Sequence, residues 1–211
     1  MSVLRMTALG AALAATFVTA PASAYEAGDF IARAGWARIM PNVDSGQVGA
    51  IAGSKVDVDN TNSLGLTFTY MFTDNIGLGV LASWPFNIEV TGDGSISSLD
   101  KIGEAKALPP TITAQYHFDT GSAVHPYIGA GFNYTWFFSE DAKGSTVTDF
   151  DLDNSFGLAG EAGVDFDVSD DWLVSAQVWY IKLDTTGKTN VGKVDVDVDP
   201  WAFMLGVGKK F

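Results

Sequence analysis

With 211 residues the chain has room for one domain, and its net charge of −13 excludes nucleic acid as a ligand, because phosphate backbones are bound by clustered Lys and Arg. It contains no cysteine, which rules out disulfides, thiol nucleophiles and Cys-ligated metals. No run of about 18 apolar residues follows the N-terminus, so no helix of the mature chain is long enough to span a membrane, yet 23 glycines and 12% aromatics fit a β-barrel, whose hydropathy is weak strand by strand.

The first 24 residues read as a secretory signal: Arg5 in a basic n-region, Met6 to Ala20 as a short apolar core, then small residues at Ala22 and Ala24. Cleavage after Ala24 starts the mature chain at Tyr25. Eight stretches of alternating apolar residues follow. They begin at Phe30–Trp36, Leu64–Phe72, Ile76–Ile88 and Ile112–Phe118. They continue at Ile128–Phe138, Phe156–Phe166 and Trp172–Tyr180, and end at Trp201–Phe211, where Trp201, Phe203, Leu205 and Val207 alternate with Ala202, Met204, Gly206 and Gly208.

The connections alternate in length. Thr73–Asn75, Ser169–Asp171 and Asp119–His125 are short, whereas residues 41–60, 91–107, 139–153 and 184–193 form long polar segments. Short turns at one end and long loops at the other are the pattern of an outer-membrane barrel, with the short turns in the periplasm. Aromatics gather at the ends of the apolar faces, at Phe72, Trp84, Phe86, Phe118, Trp136, Phe138, Trp172 and Trp201, as the two interfacial girdles of such a barrel require. A soluble β-sandwich would give them no reason to sit there. The expected fold is therefore all-β, an eight-stranded antiparallel transmembrane barrel of residues 25–211 with long extracellular loops, in the outer membrane of a Gram-negative bacterium.

With the apolar sets facing lipid, the opposite parity fills the bore. Arg33, Gln115, His117, Glu161, Asp165 and Lys210 fall in its lower and middle parts. An eight-stranded barrel is just wide enough for side chains to fill, so these groups are expected to pair and plug it. Nearer the outer end Ile39, Met40, Leu81, Phe137, Trp179 and Ile181 are apolar, with lumen parity or at the loop bases, and are expected to line a substrate path. Pro85 and the pair Pro109–Pro110 remove ladder donors at the same height and are expected to weaken the wall into a lateral gap.

Other motifs carry less. The Val–Asp alternations at 55–60 and 193–200 lack calcium-loop spacing and read as acidic strand extensions, with a bulge at Asp199–Pro200. The Gly-x-Gly of Gly129–Gly131 leads into a strand rather than a helix, so it cradles no phosphate; these glycines relieve crowding in the bore. His117 and His125 lie apart from any nucleophile signature, and the expected role of His117 is that of a hydrogen-bonded lumen residue. No catalytic residue, metal site or cofactor is assigned.

Four stretches together resemble the outer membrane protein W family, which includes the alkane-uptake protein AlkL. They are "GDFIARAGWARIMPN" (28–42), "ALPPTITAQYHF" (107–118), "HPYIGAGFNYTWFF" (125–138) and the closing "WAFMLGVGKKF". The resemblance implies a narrow hydrophobic channel open to the outside, through which small hydrophobic molecules pass and leave sideways into the membrane, with Pro109 and Pro110 at the family's Leu-Pro-Pro position. Phe211 stands where barrel-assembly machinery reads a terminal aromatic. The function expected is passive passage of hydrophobic small molecules. The alternatives are a structural or adhesive barrel, whose acidic loops bind partners or lipopolysaccharide through divalent cations, and a lipid enzyme built on a histidine beside a serine. Outer-membrane lipid and lipopolysaccharide are the expected surroundings.

Overall fold

The computed structural model describes residues 25–99, 101–143 and 146–211; the expected signal segment lies outside them. In chain order the strands are β1 (Phe30–Met40), β2 (Asp44–Ser45), β3 (Ser54–Val58), β4 (Thr61–Met71), β5 (Ile76–Ser83), β6 (Phe86–Gly94), β7 (Lys101–Leu108), β8 (Thr111–His117), β9 (Val124–Ala142), β10 (Phe150–Leu152), β11 (Ser155–Asp167), β12 (Trp172–Ile181), β13 (Asp184–Thr189), β14 (Gly192–Asp197) and β15 (Trp201–Lys210).

Eight of these close a barrel in the order β1, β4, β5, β8, β9, β11, β12, β15, every pair antiparallel. Closure falls between the chain's two ends. β1 pairs with β15 from Ile31–Lys210 to Met40–Trp201, and Phe30 and Phe211 exchange backbone hydrogen bonds of 3.1 and 2.9 Å. No edge strand is left in the wall, which is what allows a sheet to sit in lipid without unpaired amides.

The alternating parity holds along these strands. Phe30, Trp36, Leu64, Ile112, Phe132, Leu158, Val174, Phe203, Leu205 and Val207 are exposed on the outer face, and Thr69, Thr113, Gln115, Ser175 and Met204 are buried inside. A continuous apolar belt of that size would be a liability in water; around a closed barrel it is the lipid-facing surface. Trp172, Phe72, Phe118 and Phe211 stud its lower rim and Trp36, Trp84, Trp136 and Trp201 its upper rim. Lumen glycines make room for the large inward groups: a Cβ on Gly129 would come within 2.5 Å of the Glu161 carboxylate, and one on Gly163 within 2.3 Å of the Tyr127 ring.

Much of the four long polar segments is strand. β6 pairs with β3 and β7, and β7 pairs with the upper part of β9, which is long enough to serve both barrel and extension. β9 passes from barrel to extension after Thr135, and its pairing with β7 is interrupted by a register shift at Ser139, whose φ of 53° is a bulge conformation. A second sheet runs β10–β13–β14–β2. The barrel wall thus continues above the membrane as two sheets facing each other across an apolar interior of Val56, Val90, Ile102, Phe150, Val194 and Val196.

One assignment of the sequence pattern is corrected here. Ile76–Ile88 is not a single lipid-facing strand. It breaks at Trp84–Pro85, and Phe86, expected in the aromatic girdle, is 3% exposed and packs inside with Phe137 and Trp179. Proline cannot donate to a ladder, so the strand twists there, and the apolar residues after it face the extension's interior instead of lipid.

Candidate functional site

The bore is closed from the periplasmic end upward by three tiers of polar contacts. In the lowest, the Arg33 guanidinium donates through Nε (3.0 Å) and Nη2 (2.5 Å) to the two oxygens of Asp165, and through Nη1 to Thr69 (2.9 Å). Both charged side chains are fully buried. Tyr25 reaches into this tier: its hydroxyl donates to Asp165 at 2.6 Å, and its ring lies about 5 Å from those of His117 and His125. His117 stacks on Tyr127, and His125 pairs with Asp167 at 2.8 Å.

In the middle tier Glu161 accepts three hydrogen bonds, from Thr113 (2.5 Å), Gln115 (2.6 Å) and the Trp179 indole N–H (2.7 Å). Gln115 in turn contacts His117 at 3.1 Å. In the upper tier the Asn133 amide donates to Thr111 (2.9 Å) and to the carbonyls of Pro109 (3.2 Å) and Pro110 (3.3 Å), while Thr135 donates to its carbonyl oxygen (2.8 Å). Asn133 thereby ties the two prolines, which have no N–H of their own, back to the wall.

Above these tiers the chemistry changes abruptly. A cavity of about 120 Å³ fills the space between the two extracellular sheets, and the surface it meets is almost wholly carbon. Beneath it lies a second space of about 20 Å³. Ile39, Phe86, Pro109 and Ile181 border both, so the two are adjacent. An apolar cavity of roughly 150 Å³ is known to stay dry and accept a benzene-sized guest, which sets the scale of what the larger space can hold.

The smaller space adjoins the place where the wall is least paired. The β5–β8 ladder ends at Leu81–Thr111, and above it β5 stops at Ser83 while β6 pairs away with β7. The upper end of β4 keeps its full ladder with β1; toward β5 the last ladder pair is Gly65–Ser83, followed by the Trp84 N–H to Leu64 carbonyl bond at 2.9 Å. Ser83 and Pro109 both border the small cavity.

The residues singled out by parity are distributed as follows. Ile39, Phe137 and Ile181 line the large cavity; Leu81 and Trp179 line the small one. Met40 does not join them: it is on the outer-face parity of β1 and 41% exposed, because Ile39, not Met40, continues the inward series of Arg33, Gly35 and Ala37. Pro109 is buried at the cavity, Pro85 is half-buried at the β5–β6 break, and Pro110 is exposed. Arg33, Gln115, His117, Glu161 and Asp165 are brought together in the tiers above. Lys210 lies at the lower rim, 4.0 Å from Asp29. Neither histidine is hydrogen-bonded to a serine among the described residues.

Tyr25 is a functional-site residue that the pattern alone misses, whereas Asn133 has the inward parity of β9 and only its bonds to the two prolines go unforeseen. Tyr25 precedes every strand, so no periodicity points at it. The large cavity's lining is drawn from many segments of the extension, and in two of its strands, β3 and β14, the alternation of Val and Asp gave the clue: the Val series is the inner face.

Residues 26–211 match the OmpW family model. The chain belongs to the OmpW family. Outer membrane protein W of Vibrio cholerae is 42% identical, the match covering 99% of this chain and all of that one. The crystal structure of OprG from Pseudomonas aeruginosa superposes with a TM-score of 0.83 at 41% identity, over 89% of this chain and 97% of that one. The solid-state NMR structure of AlkL in lipid bilayers superposes with a TM-score of 0.65 at 27% identity, over 91% and 94%. This OmpW-family protein is accordingly an outer-membrane β-barrel, and the three relatives just described are outer membrane proteins by name.

Proposed function

We propose that this OmpW-family barrel is a passive channel for small hydrophobic molecules, which are captured in the apolar chamber above the membrane and released sideways into the lipid. The observation that carries this reading is the change from carbon-lined cavity to hydrogen-bonded plug along one bore. A greasy solute gains from leaving water for such a chamber and loses heavily on meeting Glu161, Asp165 and Arg33 without replacing their partners. The favourable way onward is lateral, through the small cavity beside Leu81, Ser83 and Pro109, where the ladder between β5 and β8 has ended. Met40 has no part in this path; the chamber residues Val56, Val90, Ile102 and Val194 do.

The test is uptake of a hydrophobic fluorescent reporter by intact outer membranes carrying the full-length protein. Val194→Asp puts a carboxylate into the chamber wall while touching no barrel strand, and uptake should fall about tenfold, the effect of roughly 1.4 kcal/mol on the path. Undiminished uptake in a variant whose barrel still migrates as folded on an unheated gel would overturn the reading.

A second reading, a structural or adhesive barrel, draws on the ordered extension and its acidic exterior. It requires no hollow apolar interior, and it predicts that Val194→Asp leaves function untouched. We further assign the exposed Phe211 ring, at the free end of β15, to recognition during barrel assembly.

A further inference from the structure

The two arginines of the barrel are treated in opposite ways. Arg33 points inward and every nitrogen of its guanidinium meets an acceptor. Arg38, five residues on in the same strand, has the outward parity of Trp36 and Met40. No hydrogen bond or ion pair engages it among the described residues, and its Nε is covered by the protein without an acceptor. Nearby on the upper rim, Lys182 shows the usual arrangement for comparison, held between Asp184 (3.1 Å) and Asp199 (2.8 Å).

The position of Arg38 is set by its neighbours. In register it faces Phe203 of β15 on one side and Asn62 of β4 on the other; Met40–Trp201 is the ladder pair one inward–outward repeat above and Trp36–Leu205 the one below. Phe203, Trp201 and Trp36 are exposed members of the lipid-facing surface, and Asn62 is exposed and makes no hydrogen bond through its side chain among the described residues. The guanidinium therefore sits in the upper aromatic girdle, at the level of the outer-leaflet headgroups.

An arginine that merely snorkels keeps its whole head group in water. Here Nε is covered by the protein without an acceptor, whereas the two terminal nitrogens are not among the covered atoms and engage no acceptor among the described residues. A planar fork of two N–H groups with an amide beside it matches a phosphate, which accepts bidentately from arginine, and phosphate is the anion that the outer leaflet presents at this depth. The wide acidic exterior above would repel a free anion, whereas a phosphate anchored by acyl chains along Trp36, Leu64 and Phe203 is brought to Arg38 from the membrane side. We propose that Arg38, assisted by Asn62, is a binding site on the barrel's outer wall for a phosphate of lipid A. The site is independent of the channel reading, since neither residue borders either of the two cavities described above.

The experiment uses the full mature protein purified in detergent and native mass spectrometry with two probes, bisphosphorylated lipid A and the same lipid with its phosphates removed. Wild type should retain one molecule of the phosphorylated lipid and bind the dephosphorylated one about tenfold more weakly, the loss expected for one charge-assisted contact pair. Arg38→Gln should reduce retention of the phosphorylated lipid to the dephosphorylated level, and Arg38→Lys should restore only part of it. Equal retention of both lipids by wild type would overturn the proposal without any variant having to fold, as would full retention by Arg38→Gln. Displacement of the lipid by millimolar inorganic phosphate would show a free-anion site instead and equally overturn it.

Discussion

Arg33 and Asp165 are the residues on which the closed bore depends most. A buried pair with this many hydrogen bonds holds because each charge answers the other; removing one leaves the partner stranded in a low dielectric, at a cost of about 3–5 kcal/mol. Arg33→Met should therefore destabilise the barrel by about that amount, read as a lower unfolding temperature in detergent, and Arg33→Met combined with Asp165→Leu should recover most of the loss. The alternation of the sequence was enough to place Arg33, Gln115, His117, Glu161 and Asp165 in one bore, because a period of two leaves only two faces. It could not pair them, since which inward residue meets which depends on the stagger between strands distant in the chain. Arg33 reaches Asp165, 132 residues away, while Lys210, on the inward parity of a neighbouring strand, meets Asp29 at 4.0 Å. Trp179 likewise proves to be both floor and donor: its ring borders the small cavity and its N–H serves Glu161.

The extension shows what one element can and cannot tell. The runs Lys55–Asn60 and Lys193–Pro200 alternate Val and Asp, and each forms a strand with valine inside and acid outside. What the runs could not show is that the two sheets they join face each other and so make a chamber. Packing the acids on one exterior also has a local cost. Asp197 of β14 is directly opposite Asp184 of β13 and pairs on its other side with Asp44 of β2. Lys182 draws the Asp197 carboxyl down, but partial desolvation and the Asp184 and Asp199 carboxylates outweigh it and hold Asp197 above the usual carboxylate range. A carboxyl raised on folding favours the folded state most when protonated, so this hairpin is most stable below the ordinary carboxylate value and loses that advantage as pH rises through the raised one. Asp199 has the reverse sign. Burial raises it, but the Lys182 ammonium and the Leu183 N–H outweigh burial and hold it low, so its contribution persists above the ordinary value and is lost only in stronger acid. Asp197→Asn should consequently protect the β13–β14 hairpin from proteolysis at neutral pH and make little difference at pH 4. Greater cleavage of the variant at neutral pH would show that Lys182, not the neighbouring acids, dominates at this position.

At the scale of the whole molecule, one wall serves two solvents. Below the upper girdle its outer face meets lipid and its inner face is a hydrogen-bonded plug; above, its outer face is acidic and wet and its inner face is apolar. The inversion takes place within a few residues, at Trp84–Pro85–Phe86 between β5 and β6 and at Val198–Pro200 between β14 and β15, where Asp199 adopts a φ of 32°. Proline stands at both crossings because a strand that must exchange its inner and outer faces has to give up ladder bonds there, and proline has none to give on its nitrogen. The same break that turns the greasy face inward also leaves β5 without a ladder partner on its β8 side above Leu81, so the chamber and the weak part of the wall have one structural cause. If the lateral path follows this break, filling the small cavity should close it without disturbing the plug. Leu81→Trp should lower uptake of the hydrophobic reporter about tenfold, comparable with Val194→Asp, while both variants and wild type remain poorly conducting to ions in planar bilayers. Loss of uptake accompanied by a new ionic current would mean that the substitution had opened the bore instead, and unchanged uptake would place the exit elsewhere along the wall.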